Sequence, residues 1–312
     1  MRSALRNISV VGQIADLPPD RRPAARVRRR PVAALLLCGA ALLFSVACRR
    51  GPEQTAEVVV VSERELPSDP VAAAWDRIPE HVAKMIPQDL VEPRVLKPTT
   101  GEVRVRAVSN GTQVAFRLEW DDPDQSDTPG PSKMIDSCAI QIPEKLAPEP
   151  PDPQMGGQGK TVQVAYWRAD WQAIVNGRGD SIRDLYPRAS IDHYPHDAKP
   201  LESDPAAQKE MAARYNPARA LGNDRGGPRR RPVEDLVADG PGTLAPAPSQ
   251  TSSGKGVRTK TGWSVVIQRN LPAGLAPRAR THVAFAVWQG SQMESGARKM
   301  RTGWIPLLLR GQ

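Results

Sequence analysis

Histidine and cysteine, the side chains most used to hold metals, are scarce in this 312-residue chain, which has four of the first and three of the second. Cys38 and Cys48 sit near the start, so Cys138 stands alone beyond residue 48. That excludes a disulfide framework and a four-cysteine metal site. There is no CxxCH, which excludes covalent haem attachment of the usual kind. GxGxxG, the phosphate-binding P-loop and the Gly-x-Ser-x-Gly elbow are also missing, so no nucleotide fingerprint or esterase nucleophile is present. Aromatics make up 4% of the chain, against 32 prolines and 24 glycines. Such a balance favours turns and short elements over long helices.

The formal net charge is +9, but the first 47 residues carry eight arginines and two acids, a net of +6. The excess therefore belongs mainly to a leader. No basic stripe with interleaved aromatics follows it, so nucleic acid is not an expected partner. "RRRPVAALLLCGAALLFSVAC" has the order of an export signal: positive charge, an apolar run, then small residues. The uncharged stretch from Pro31 to Ala47 has 17 residues, short of the about 20 that span a membrane. It ends in Ser45-Val46-Ala47-Cys48, which resembles a lipoprotein cleavage site with Cys48 as the lipidated residue. A plain signal cut near Ala47 and an uncleaved anchor are the competing readings. The expected location is exported and periplasmic, with a lipid anchor if Cys48 is modified.

Beyond the leader, residues 48–68 are polar and rich in Pro and Glu, and read as a flexible tether. Residues 69–312 read as one domain. "DPVAAAWDRIPEHVAKMI" opens it, anchored by Trp75. "EVRVRAVSN" and "TQVAFRLEWDD" alternate apolar and polar residues around Asn110-Gly111, a half-buried hairpin with a tight turn. "SCAIQIP", "KTVQVAYWRADWQ", "GWSVVIQRNL", "THVAFAVWQG" and "GWIPLLLRG" are further strands. The expected fold is mainly β, an antiparallel β-sandwich with a few short helices. A polar segment at 196–232 reads as a mobile insertion in which "AAQKEMAARY" has helical character.

Few side-chain constellations suggest chemistry. His193 and His196 have a His-x-x-His spacing, but no further ligands lie nearby, which favours two solvated histidines. "WDDPDQSD" is an acidic turn without the spacing of a calcium loop. Cys138 reads as a small buried residue. Met155, in "PQMGGQGK", offers a soft thioether in a Gly-rich loop. Lys299, in "SGARKMRTGW", belongs to a residue type that is mostly exposed, and it can bind a metal only as the neutral amine.

Taken in order, "AAAWDRIP", "VRVRAVSNGTQVAFRLEWDDPDQSD", "CAIQIP", "PQMGGQGKTVQVAYWRADW", "LVADGPGTL", "GWSVVIQRNL" and "VAFAVWQGSQMESGARKMRTGWIPLLL" resemble the haem b (gamma) subunit family of periplasmic molybdenum enzymes of the ethylbenzene dehydrogenase and dimethylsulfide dehydrogenase type. The resemblance runs from about Asp69 to Leu309, interrupted by the 196–232 insertion. It implies a sandwich similar to some carbohydrate-binding modules. It implies one non-covalent haem b with Met155 and Lys299 as axial ligands, and an electron-transfer role with no catalytic residues in this chain. The implied partners are a molybdopterin catalytic subunit and an iron–sulfur subunit, with a soluble cytochrome c as a further electron partner. Met134, Met293 and Met300 are rival sulfur ligands. Arg301-Thr302 stand where the family often has serine. The competing reading is a haem-free binding module that takes a sugar or another small ligand on Trp167 and Trp171, although alternation in "YWRADW" turns aromatics towards a core.

Overall fold

Residues 55–179, 182–188, 203–215 and 229–310 are described by a computed structural model; Cys48, His193 and His196 lie outside them. The fold is mainly β, built as two faces of strands joined through one long strand. The first face begins with the predicted hairpin, β4 (Glu102–Ser109) and β5 (Gln113–Asp121), whose turn contains Gly111 at φ 94°. Beyond β5 lie β11 (Gly262–Asn270) and β10 (Ser253–Arg258), both antiparallel, and β2 (His81–Lys84) pairs with β4.

On the other side of β4 comes β1 (Val58–Ser62), then β14 (Ile305–Leu309). This corrects two expectations. Part of the stretch read as a tether is a central strand with Val58, Val59 and Val60 buried. It also runs parallel to both neighbours, so the sheet is mixed rather than wholly antiparallel. An unbroken valine run suits a strand covered on both faces and paired in parallel, where alternation is lost.

The long strand is β12 (Arg280–Trp288). Its first half pairs with β14, while its second half pairs with β6 (Ser137–Pro143) and with β13 (Met300–Arg301). Between β13 and β14 the register against β12 slips by one residue, a bulge at Thr302–Trp304. Bulges of this kind let a strand turn from one sheet into the next. The second face continues from β6 to β7 (Val162–Arg168), β8 (Val233–Ala238) and β9 (Ala245–Pro246), and β3 (Ile86–Pro87) caps β13.

Side chains from both faces meet in one core. Phe116 of β5 meets Phe285 of β12 edge to face, with centroids 6.3 Å apart. Trp167 of β7 lies against Trp120 of β5 and Trp263 of β11, at 6.4 and 5.2 Å. β10 passes so close that a Cβ on Gly256 would overlap the Trp167 ring. Cys138 is fully buried there, and the apolar surroundings push its thiol well above its ordinary pKa, as suits a structural cysteine. The outer side of the first face is covered by the lead-in, with Trp75 buried against Val108, Ala115 and Val266. Helix α1 (Ala169–Val175) follows β7, then a single turn at Ile182–Leu185, and a longer helix at Pro205–Tyr215 falls within the expected insertion. Among the described residues no helix is long and apolar enough to cross a membrane.

Candidate functional site

The outer side of the second face carries a separate apolar cluster: Ala139, Val164, Leu236 and Trp288, flanked by Tyr166 and Ala286. Strand alternation puts these side chains opposite Cys138, Ala165, Trp167 and Phe285, which enter the core. Two loops bring functional side chains to this surface.

The first connects β6 to β7. Met155 sits there with φ 76° and Gly156 with φ 82°, two consecutive left-handed residues. Glycine adopts that region freely, whereas methionine does so at a cost. A Cβ on Gly156 would also lie 2.6 Å from the Lys160 carbonyl oxygen. The turn is pinned from several sides. Gly156 N–H donates to the Asp152 carbonyl at 2.8 Å, and Gly240 N–H to that of Met155 at 2.8 Å. Gln141 of β6 holds the Pro153 carbonyl at 3.0 Å, and the Trp304 indole holds that of Pro151 at 2.6 Å.

The second loop leaves β12 after Trp288. It makes a 3-10 turn at Gly290–Gln292 and a tight turn at Ser295–Arg298, then enters Lys299 and β13. Gln88 clamps it, its backbone N–H donating to the Lys299 carbonyl at 3.0 Å and its amide to that of Ala297 at 2.9 Å. The Trp288 indole donates to the Gly296 carbonyl at 3.0 Å. Glu294 is buried inside the loop and accepts from Thr99 and from Gln289 N–H.

Residues 144 positions apart converge here. Lys299 Nζ lies 4.0 Å from Met155 Sδ and 5.2 Å from the centre of the Trp288 ring. The lysine is half-buried, and desolvation, with the charge of Arg301 adding to it, lowers its ammonium pKa from 10.5 to about 8. Neutral amine is therefore accessible near physiological pH. A thioether and a neutral amine are two uncharged lone-pair donors, one soft and one borderline. Set this close together, the two side chains could both be offered to one metal ion.

The rival sulfurs do not share this position. Met300 follows Lys299 directly, so alternation turns it inward, and it is fully buried in the core between the sheets. Met293 is left-handed at φ 59° and 43% exposed. Met134 packs its carbonyl against Gly290. The aromatic platform of the competing reading is absent: Trp167 and Trp171 are 0% and 1% exposed, one in the core and one beneath Arg229. In the acidic turn Asp121 and Asp124 are exposed, whereas Asp122 turns inward to a buried carboxyl pair with Asp136. Asp136 accepts from Ser126 N–H, Gly290 N–H and the Trp263 indole, and Asp122 beside it is fully buried. Among the described residues no cluster of three or more His, Cys, Asp or Glu is arranged for a metal ion.

Sequence reasoning gave no role to Trp288, Gln88, Gln141 or Trp304, which build the site. For Trp288 a signal existed, since strand alternation sets it opposite Val287 of the core. The contacts of Gln88, Gln141 and Trp304 span long stretches of chain and leave no local pattern.

The fold thus sets a thioether and an amine side by side next to the apolar cluster of the second face. The profile of the ethylbenzene dehydrogenase family matches residues 72–300, and the chain belongs to that family. A protein of Haloferax mediterranei, named as a respiratory nitrate reductase heme subunit, is 24% identical over 287 residues, covering 89% of this chain and 82% of its own. Two structures of a family 9 carbohydrate-binding module from Caldicellulosiruptor kristjanssonii, with cellotriose and with glucose, are 11% and 9% identical. They cover 82% of this chain and 94% and 96% of their own, with TM-scores of 0.38 and 0.35.

Proposed function

We propose that this chain is an electron-transfer subunit that carries one non-covalent haem b, with Met155 and Lys299 as the axial ligands. The observation that carries the proposal is the meeting of the Met155 thioether and the Lys299 amine at 4.0 Å over an apolar face. The residues fit the group. The two donors match iron's acceptance of sulfur and nitrogen, and the side chains beside them, Trp288 and its cluster, are apolar. Bound there, haem supplies a one-electron carrier. The chain's own residues hold the thioether in a strained turn, keep the amine partly desolvated and restrict water. The family, and a relative named as a heme subunit, support the coarser part of this reading, a haem-binding electron-transfer subunit of an oxidoreductase.

The finer proposal places the subunit in a periplasmic molybdopterin oxidoreductase complex, beside a catalytic subunit and an iron–sulfur subunit, with a soluble cytochrome c as a further electron partner. The catalytic residues then lie in another chain. An export signal at 1–47 would direct the chain across the membrane, and lipid on Cys48 would then hold the complex at its outer surface. Cys48→Ser is then expected to release the chain from the membrane fraction; a mature protein with an unmodified N-terminus near Ala47 would show a plain signal instead.

The test is a spectrum. The chain, exported in a host that supplies haem, is expected to show low-spin b-type absorption that acid–acetone extraction removes. A colourless protein that takes up no added haem would overturn the proposal.

A further inference from the structure

Arg301 is two residues beyond Lys299 on β13, so both side chains leave the strand on the same side. Its register partners are Ala286, in the apolar cluster beside Trp288, and Ile86, which is 46% exposed. The guanidinium thus stands where the apolar face gives way to solvent. Its Nε–H is buried and meets no acceptor among the described residues. A buried charged donor without an acceptor is disfavoured; Arg117, Arg178, Arg258 and Arg269 each have one too, but Arg301 is the one paired with the apolar cluster beside Trp288. Apolar side chains with the Arg301 guanidinium at their edge complement a largely apolar molecule that carries an acid at one edge. Guanidinium is the side chain best matched to a carboxylate, which it binds through two parallel N–H donors.

We infer that Arg301 binds a propionate carboxylate of the haem, and so fixes the orientation of the macrocycle as well as its affinity. This inference rests on the haem reading above. Arg298, exposed in the preceding turn, carries the same charge outside the apolar face.

The experiment compares haem b with its dimethyl ester, which keeps the ring and iron but has no free carboxylate. Both are titrated into the full chain prepared without haem. The wild-type chain is expected to prefer the free acid by about ten- to a hundredfold, the worth of one charge-assisted hydrogen-bonded pair. Arg301→Met is expected to bind the ester as the wild type does and to lose the preference. Arg301→Lys, which keeps the charge but not the fork, is expected to retain part of it. Arg298→Gln is expected to leave the preference unchanged. Retention of the full preference by Arg301→Met, or no preference in the wild type, overturns the role of Arg301 while leaving the axial pair intact. Failure of the wild type to bind either compound overturns the haem reading and this inference together.

Discussion

Lys299 has to lose a proton before it can offer a lone pair, and Met155 does not, so the two ligands respond differently to change. Desolvation and Arg301 bring the lysine to about 8 from 10.5. The sign follows from proton release. Below about pH 8 binding must displace a proton, so haem affinity rises with pH, by up to tenfold per unit, and levels off above that. Equilibrium titrations between pH 6 and 9 check this; a flat profile would remove lysine ligation. Lys299→Arg is expected to behave like Lys299→Ala and lose the low-spin spectrum, because guanidinium stays protonated. Met155→Ala is expected to retain haem in a high-spin form, or in a low-spin form at a lower potential, since a neutral sulfur favours ferrous iron. A wild-type low-spin spectrum in Lys299→Arg would return Lys299 to the status of an ordinary lysine.

At the scale of elements, close packing makes single glycines decisive. Gly256 of β10 passes against the Trp167 ring and donates its N–H to the Gln172 side chain at 2.8 Å, and that side chain also receives the Trp167 indole at 3.2 Å. Gly256→Ala has no space without moving a ring at the centre of the core. The expected cost is about 1–3 kcal/mol, read by urea unfolding. A change within about 0.5 kcal/mol would mean that the two sheets are less tightly apposed. Much of this layer was legible in the sequence: alternation around Asn110-Gly111 gave β4 and β5, and "YWRADW" gave a core-facing Trp167. β1 was not legible as such. Its valines stand among Pro, Glu and Arg, and an unbroken apolar run of four has no period to read. Its role comes from insertion between β4 and β14, which lie about 45 and 245 residues further along the chain. Met155 and Lys299 were named in the sequence because the resemblance supplied both, and the structure sets them 4.0 Å apart. The orphan donor of Arg301 was not, since only the folded chain shows which polar atoms lack partners.

For the molecule as a whole, the Asp122–Asp136 pair links the ends of several elements. Asp136 binds the segment before β6 to Trp263 of β11 and to Gly290 at the base of the Lys299 loop. Asp122, at the end of β5, is pushed up from 3.8 to about 7 by burial first and then by the neighbouring Asp136 charge. A carboxyl group raised on folding retains its proton in the native state after the unfolded chain has released it. Its favourable contribution is therefore complete below about pH 4 and is lost as pH rises towards 7. Asp122→Asn places a neutral amide where the native state prefers a neutral acid, and can still donate a hydrogen bond towards Asp136. It is expected to remove this decline, so that the variant gains stability over the wild type progressively from pH 5 to pH 8. Asp136→Asn is expected to be destabilising throughout, because the carboxyl acceptor of two backbone N–H groups and an indole is lost. Thermal melts at pH 5, 6.5 and 8 separate the two cases. The Lys299 contribution to the apo protein changes between about pH 8 and 10.5, outside this window, and has the opposite sign. A constant difference between Asp122→Asn and wild type across the three melts would mean that the pair is ionised throughout, and that the junction is held together by a different balance of charge.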